Sequence, residues 1–409
     1  MNTSRRKFLA TLAGGSAVIS LSGRVPHFLA QAAAAESASG KDTILVVVQL
    51  TGGNDGLNTV VPYNHDEYRK ARPKLAIPAK DVLKINDAIG LHPSARGLSD
   101  LLDGGKLAIV QGVGYASPNR SHFESMDIWH TCLRKGNPRT TGWLGRFLDT
   151  SHQSADVDAP AIHVGFEKQP LALAAENVHA SSFGSPESFR LQDGGSRQFR
   201  DAVRALTNGE QQPSDPLLGF LQSSTTSALT TSERIAEVLR DYQTPVTYPD
   251  SDFATRLKTV AQLIDAGLKT RIYYVELDGF DTHSQQAAAH AALLQQFSGA
   301  VRAFIEDIEH HGHGDRTLVM SFSEFGRRVA ENASEGTDHG AAAPMFLAGS
   351  RVRVGLAGDH PSFDDLEDGD LKFHTDFRQV YATVLQHWLG WPSTTILGGE
   401  FQSIDLFKT

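Results

Sequence analysis

Five short runs of the chain combine oxygen and imidazole donors in a way that suits metal chemistry. They are Asn54 and Asp55 in "TGGNDGLN", Asn119-Arg120-Ser121-His122 in "SPNRSHFESMDIWHT", Asp278, Asp281 and His283 in "LDGFDTH", Glu324 in "SFSEFG", and Asp338 with His339 in "EGTDHGAAAPMFLAGS". Carboxylate and neutral imidazole together suit Zn, Mn or Fe, whereas an all-oxygen set suits Mg or Ca. A serine beside such groups could act as a nucleophile. Each run also has an ordinary structural reading. Asn-Asp-Gly supplies turn geometry, Ser121 with Glu124 three residues on makes a capping box, and Asp281 could cap a helix beginning near Gln286. The two readings of Ser121 are compatible, because a helix N-terminus is also where a phosphate or sulfate docks. His310, His311 and His313 form a denser group, but they close a helix and read as its solvated end.

Several other chemistries find no support. "GVGYAS" lacks the third glycine of a dinucleotide fingerprint, and there is no Walker loop, GxSxG elbow, HExxH or paired-cysteine zinc motif. A metal-free serine hydrolase would need Ser121 with His283 or His339 as base, and it would leave the other acids unused. The recurrence of all five runs beside expected strands is the main argument for one site.

Those strands are "TILVVVQL" at Thr43 to Leu50, "KLAIVQGVG" from Lys106, "RIYYVELDGFDTH" from Arg271, "RTLVMSFSEFG" from Arg316, and "APMFLAG" after His339. The first is a continuous β-branched run of the kind buried on both faces of a parallel sheet. Between them come helical patterns, such as Leu294, Phe297, Val301, Phe304, Ile305 and Ile308. Strands alternating with amphipathic helices predict an α/β fold: a three-layer α/β/α sandwich with a mostly parallel central sheet. Ligands of such sheets bind beyond the carboxyl ends of the strands, where four of the polar runs fall. The stretch from about 145 to 250 is richer in Ser, Gln, Asp and Pro and reads as a helical and loop insertion within a single domain spanning 40–409.

The N-terminus, with Arg5 and Arg6 ahead of a glycine-broken apolar stretch, reads as a twin-arginine export signal over 1–34, cleaved near Ala32 to Ala34. The stretch falls short of the roughly 20 apolar residues a membrane span needs, so no stable membrane insertion is expected once the signal is removed. The expected destination is periplasmic or extracellular, and a metal could be loaded before export. The 409-residue chain carries a net charge of -9, and the leader holds Arg5, Arg6, Lys7 and Arg24 without an acid, so the remainder is more acidic still. That balance argues against nucleic acid as a partner. With Cys132 the only cysteine, stability must come from the core rather than from disulfides.

Across nearly the whole exported portion the chain resembles the domain-of-unknown-function 1501 family, grouped with the alkaline-phosphatase-like superfamily. The resemblance is carried by "LTGGNDGLNTVVPY", "NRSHFESMDIW", "GFDTH", "SEFGR", "GTDHG" and the late "DFRQVYATVLQHWLG". It implies an alkaline-phosphatase-like fold and one or two divalent ions (Zn, Mn, Mg or Ca) flanking a serine nucleophile. On that scheme a first metal takes Asp55, Ser121 and Glu324, and a second takes Asp281, His283 and His339. Phe325 stands where the scheme has a histidine, so Asp338 is the candidate replacement, and the short Asp-Thr-His spacing makes Asp278 an alternative to Asp281. Ser121 would then attack a small anionic phosphate or sulfate ester, with Arg120 or Asn119 on the nonbridging oxygens. The alternative is a non-catalytic exported binding or assembly protein that works with an exported partner.

Overall fold

The computed structural model describes residues 43–151, 160–165, 168–178, 180–184 and 242–408. The leader at 1–34 and most of the expected insertion lie outside the described residues. Nine strands form the central sheet. In chain order these are β1 (Ile44–Leu50), β2 (Leu107–Gly114), β3 (Ala161–Val164), β4 (Ser181–Phe183), β5 (Ile272–Leu277) and β6 (Thr317–Phe322). A separate hairpin of β7 (Arg327–Glu331) and β8 (Thr337–His339) follows, before β9 (Ala343–Ala348), β10 (Gly355–Ala357) and β11 (Thr375–Asp376) rejoin the sheet. The spatial order is β10-β2-β9-β6-β1-β5-β3-β4, with β11 also paired to β2. β3 and β4 lie inside the 145–250 stretch, so part of that polar region builds the main sheet.

β1 is central and parallel to β5 and β6. Its seven residues are all buried, and their side chains alternate between two cores. Val46 and Val48 face one core, built with α1 (Arg96–Asp103), α4 (Asp252–Asp265) and α5 (Gln286–His310) through Leu98, Val260, Phe297 and Phe304. Leu45 and Val47 face the other, built with α2 (His122–Thr131), α3 (Trp143–Ser151) and α6 (Phe377–Thr383) through Trp129, Trp143, Phe147 and Tyr381. Two cores on either side of one sheet make the three-layer α/β/α sandwich, and the β-branched run of β1 is what such a position demands.

β9 is the exception to parallel order, running antiparallel to both β2 and β6. Its reversed direction matters for the site. β1, β2, β5 and β6 all point the same way, so the loops after them share one edge of the sheet. An antiparallel strand begins at that edge, so the residues preceding β9, among them Asp338 and His339, arrive there too. The local device is the β7–β8 hairpin, in which Arg327 pairs with His339. Among the described residues no helix is long and apolar enough to cross a membrane.

The long helix α5 carries much of the first core. Phe304→Ala, at a fully buried position, is expected to destabilise the protein by about 3–5 kcal/mol. Arg302→Ala on the solvent side of the same helix, bound to Glu306 and Asp100, should cost less than about 1 kcal/mol. Chemical denaturation of the two variants checks the difference.

Candidate metal centre

Three elements bring four side chains close together. The loop after β5 supplies Asp281 and His283, β8 supplies His339, and the first residue of α2 supplies His122. The ligand atoms of His122, Asp281 and His339 all lie within 4.8 Å of one another. His283 Nε2 sits 2.9 Å from His339 Nε2 and 3.1 Å from Asp281 Oδ1, and His339 Nε2 is 3.2 Å from the same oxygen. Tetrahedral ligands at bond lengths near 2.0–2.1 Å stand about 3.3 Å apart, so these separations are close to those of a ligand shell.

The hydrogen bonds on the far side of each ring fix what faces inward. His339 Nδ1 donates to the Arg120 carbonyl at 2.7 Å, which leaves its Nε2 bare in the neutral ring. His283 Nδ1 donates to Asp338 Oδ1 at 3.2 Å, and Asn332 holds the same oxygen at 3.1 Å. That Asn332 bond, joined by the His283 bond and opposed by burial, keeps the Asp338 carboxyl below the usual range. His122 Nδ1 donates to Glu324 Oε1 at 2.7 Å; its Nε2 has no hydrogen-bond partner and lies 3.4 Å from Asp281 Oδ2. The Glu324 bond raises the His122 pKa against the opposing effect of burial. Burial pushes Asp281 up, but the hydrogen bond from Arg327, together with the neighbouring His339 and His122 rings, outweighs it and holds its carboxyl at about 2. Three imidazoles, each with its outer nitrogen engaged and its inner nitrogen aimed at one ionised carboxylate, form the arrangement of a metal-binding shell with its outer supports.

Of the residues expected to ligate a metal, Asp281, His283 and His339 come together. Asp338 supports His283 from outside the cluster. Asp55 is a correction: it is fully buried, with Arg72 Nη1 2.6 Å from Oδ2, Gln286 on the same oxygen, and the Asn58 N–H on Oδ1. Glu324 is another. Its two oxygens accept the Gly52 and Gly53 N–H groups at 2.9 and 3.2 Å as well as His122, so it orients a ligand instead of serving as one. Asp278 accepts from the adjacent Gly279 N–H and stays in its own turn, which leaves Asp281 as the acid of this loop.

The nucleophile loop is also placed. Ser121 is the N-cap position of α2, but its hydroxyl makes no capping bond, and Glu124 pairs with Arg139 at 2.6 Å, so the expected capping box does not form. Ser121 is exposed and lies in sequence between Arg120, whose carbonyl holds His339, and His122, whose ring joins the cluster. Asn119 Oδ1 accepts the Ser121 N–H at 2.8 Å and shapes this turn. Arg120 directs Nε and Nη2 onto Asp370.

Two contributors, His122 and Arg327, were given no role by the sequence reading, and a third, Phe325, was noted there only for the imidazole it lacks. His122 was visible as a histidine directly after the candidate serine, but the capping motif accounted for its surroundings. Phe325, apolar where the resemblance places an imidazole, packs against His122 and His339 with ring centroids at 4.9 and 4.6 Å. The imidazole found in the cluster beside Phe325 comes instead from α2, as His122. Arg327, wholly buried, donates to Gly53, Thr337 and Phe280 carbonyls and to Asp281; nothing local in "SEFGRR" announces those distant partners.

The chain belongs to the family described as protein of unknown function (DUF1501), whose model matches residues 42–398. No curated protein matches it. Among solved structures it is similar to the C-terminal periplasmic domain of EcEptC from Escherichia coli in complex with Zn, at 9% identity over 77% of this chain and 75% of that one, with a TM-score of 0.36. It is also similar to a protein in the alkaline phosphatase superfamily from Vibrio parahaemolyticus, at 8% identity over 96% and 79%, TM-score 0.40. A third likeness is to the PsFucS1 sulfatase from Pseudoalteromonas sp., at 11% identity over 92% and 74%, TM-score 0.40. At these values the likenesses assign no residue a role.

The Asp55–Arg72 pair behind the cluster has a measurable signature. Burial raises the Asp55 pKa, but Arg72 outweighs it and the net shift is downward from 3.8. Its stabilising contribution is therefore full above that unfolded value and is lost as pH falls through the lower folded one. Arg72→Met, which strands a buried carboxylate, is expected to cost about 3–5 kcal/mol near neutral pH. Against Asp55→Asn, the wild-type advantage in Tm should hold constant above about pH 5 and shrink in more acid solution; thermal melts across pH follow it.

Proposed function

For a chain of this family, we propose metal-dependent hydrolysis of phosphate or sulfate esters, carried out after export at the cluster of His122, Asp281, His283 and His339. The observation that carries the reading is the approach of His283 Nε2 and His339 Nε2 to 2.9 Å of one another and to within 3.2 Å of Asp281. With each Nδ1 donating outward, the neutral rings turn lone pairs toward one point, and a cation there satisfies them. The donor set of three imidazoles and a carboxylate suits Zn or Mn better than Mg or Ca. It also favours one ion over two, since the oxygens of Asp55 and Glu324 are already spent on Arg72, Gly52, Gly53 and His122.

A divalent ion in this shell supplies Lewis acidity toward a phosphoryl or sulfuryl oxygen and activates a hydroxyl near neutral pH. The chain's own residues supply the rest. Ser121 presents its hydroxyl at the positive end of α2, where a tetrahedral anion is favoured. Its oxygen attacks phosphorus or sulfur in line, the ester oxygen departs, and water then releases the anion from the serine. In this reading Arg120 or Asn119, the two residues before the serine, contacts the nonbridging oxygens. The Arg120 carbonyl ties the serine loop to His339, so the nucleophile and the ligands keep one geometry. A second reading, an exported binding protein on the same scaffold, is favoured by Phe325 and by the Arg72-neutralised Asp55, both at positions where the resemblance expects ligands.

Elemental mass spectrometry of the purified, exported protein separates the two. Close to one equivalent of Zn or Mn is expected, lost in the His283→Ala/His339→Ala double variant and bound about 10–100-fold more weakly in Asp338→Ala. Folded, metal-free wild type would favour the binding protein. With an ester that the wild type turns over, Ser121→Ala should keep its metal and lose about 10³-fold or more in kcat; undiminished turnover would remove Ser121 as the nucleophile.

A further inference from the structure

Next to the cluster, one buried carboxylate gathers two arginines. Asp370, 3% exposed in the hairpin of residues 366–371, accepts from Arg120 Nε at 3.0 Å and from Arg120 Nη2 on Oδ2. Its other oxygen makes no hydrogen bond, and the cation facing it is Arg328, with Nε at 3.6 Å. The two guanidiniums remain 38% and 35% exposed, so each has one edge toward Asp370 and the remainder toward solvent. Both are tied to the metal cluster by their backbones. Arg120 offers its carbonyl to His339, and Arg328 follows Arg327, which holds Asp281. Arg328 also acts electrostatically on Asp338.

Two guanidiniums on one buried carboxylate leave a local positive excess, offset in part by Asp338, which is 57% exposed and screened by solvent. Asp368, exposed at the tip of the same hairpin, lies in solvent where its field is screened. The guanidinium fork matches phosphate, sulfate and carboxylate oxygens in bidentate fashion, and it binds best when a partner has already fixed its plane. Asp370 does that for Arg120 and sets the direction of Arg328.

We infer that Arg120 and Arg328, organised by Asp370, form a second anion subsite beside the cluster, so that the ester taken here is polyanionic: a sugar or glycan bearing a further phosphate, sulfate or carboxylate. The inference rests on the hydrolase reading for the word ester, but its test measures binding alone. Metal-loaded Ser121→Ala protein, which cannot turn over, is titrated calorimetrically with glucose 1-phosphate and with glucose 1,6-bisphosphate. The bisphosphate should bind about tenfold more tightly, with the preference shrinking as salt is raised.

Adding Arg328→Gln should remove most of the bisphosphate preference while the affinity for the monophosphate and the metal content stay unchanged; Arg328→Lys should restore part of the preference. Equal binding of the two sugars before that substitution, a preference left largely intact by Arg328→Gln, or no binding of either sugar overturns the subsite. If the preference depends on Arg328 while Ser121-intact protein hydrolyses no ester, the subsite stands and the hydrolase reading falls.

Discussion

The guanidinium of Arg327 is the interaction on which the site's geometry depends. It is fully buried, and all three of its nitrogens are engaged: Nε with Gly53 O at 2.8 Å, Nη1 with Thr337 O at 2.7 Å, and Nη2 with Gly52 O, Phe280 O and Asp281 Oδ1. These acceptors belong to the loop after β1, the loop after β5 and strand β8. A cation taken out of water needs compensation from every side, and here the compensation comes from the loops that must be held together. Lysine could not substitute, because a single ammonium lacks the planar fork that reaches all of them. The same contact keeps Asp281 ionised, which gives the cluster its negative charge.

Glu324 works as the complement of Arg327. Its carboxylate receives two successive backbone N–H groups, from Gly52 and Gly53, and one imidazole. The glycines make this approach feasible. Gly52 has φ +116° and Gly53 φ +81°, and a Cβ on Gly52 would lie 2.3 Å from the Asp281 nitrogen, while one on Gly53 would lie 2.5 Å from the Phe325 ring. The loop is therefore pressed between Glu324, Arg327 and the loop after β5. Gln286, the first residue of α5, braces the assembly from behind: its Nε2 donates to Asp55, and its Oε1 accepts from Thr282 and Thr337, the neighbours of Asp281, His283 and Asp338.

This division of labour explains which parts of the site could be read from sequence. Strands β1, β2, β5 and β6 were legible because they are apolar runs with no competing pattern, and the strand-end position of the polar residues followed from them; β3 and β4 were not, since they are short and lie in a polar stretch. Asp281, His283 and His339 were legible as donors. The fate of Asp55 and Glu324 was not, because it depends on Arg72, 17 residues away, and on glycine N–H groups some 270 residues away. A carboxylate at a strand end looks alike whether it will be buried or exposed. Once buried, it must be satisfied by the protein itself, and that consumes the oxygens an ion would need. Asp281, 48% exposed, keeps an oxygen within reach of His122 and open to a ligand. The antiparallel course of β9 was equally hidden, since an apolar run carries no direction.

Phe325 shows how a departure from the resemblance can be absorbed. An imidazole at its position would have come from the loop after β6; the phenyl ring instead lies against His122 and His339 and limits how each can rotate. The imidazole arrives from the first turn of α2, the turn that also presents Ser121. Bringing a ligand and the candidate nucleophile from adjacent residues couples them more tightly than two separate loops would, because no hinge lies between them. The helix terminus disfavours an added positive charge on His122, whereas the Glu324 carboxylate favours it and is close enough, at 2.7 Å, to prevail. The ring is thus held by an anion behind it and faces another anion, Asp281, in front. An imidazole placed between two carboxylates is stabilised by a positive charge at its inner nitrogen, and in this cluster that charge is either a proton or the proposed metal ion.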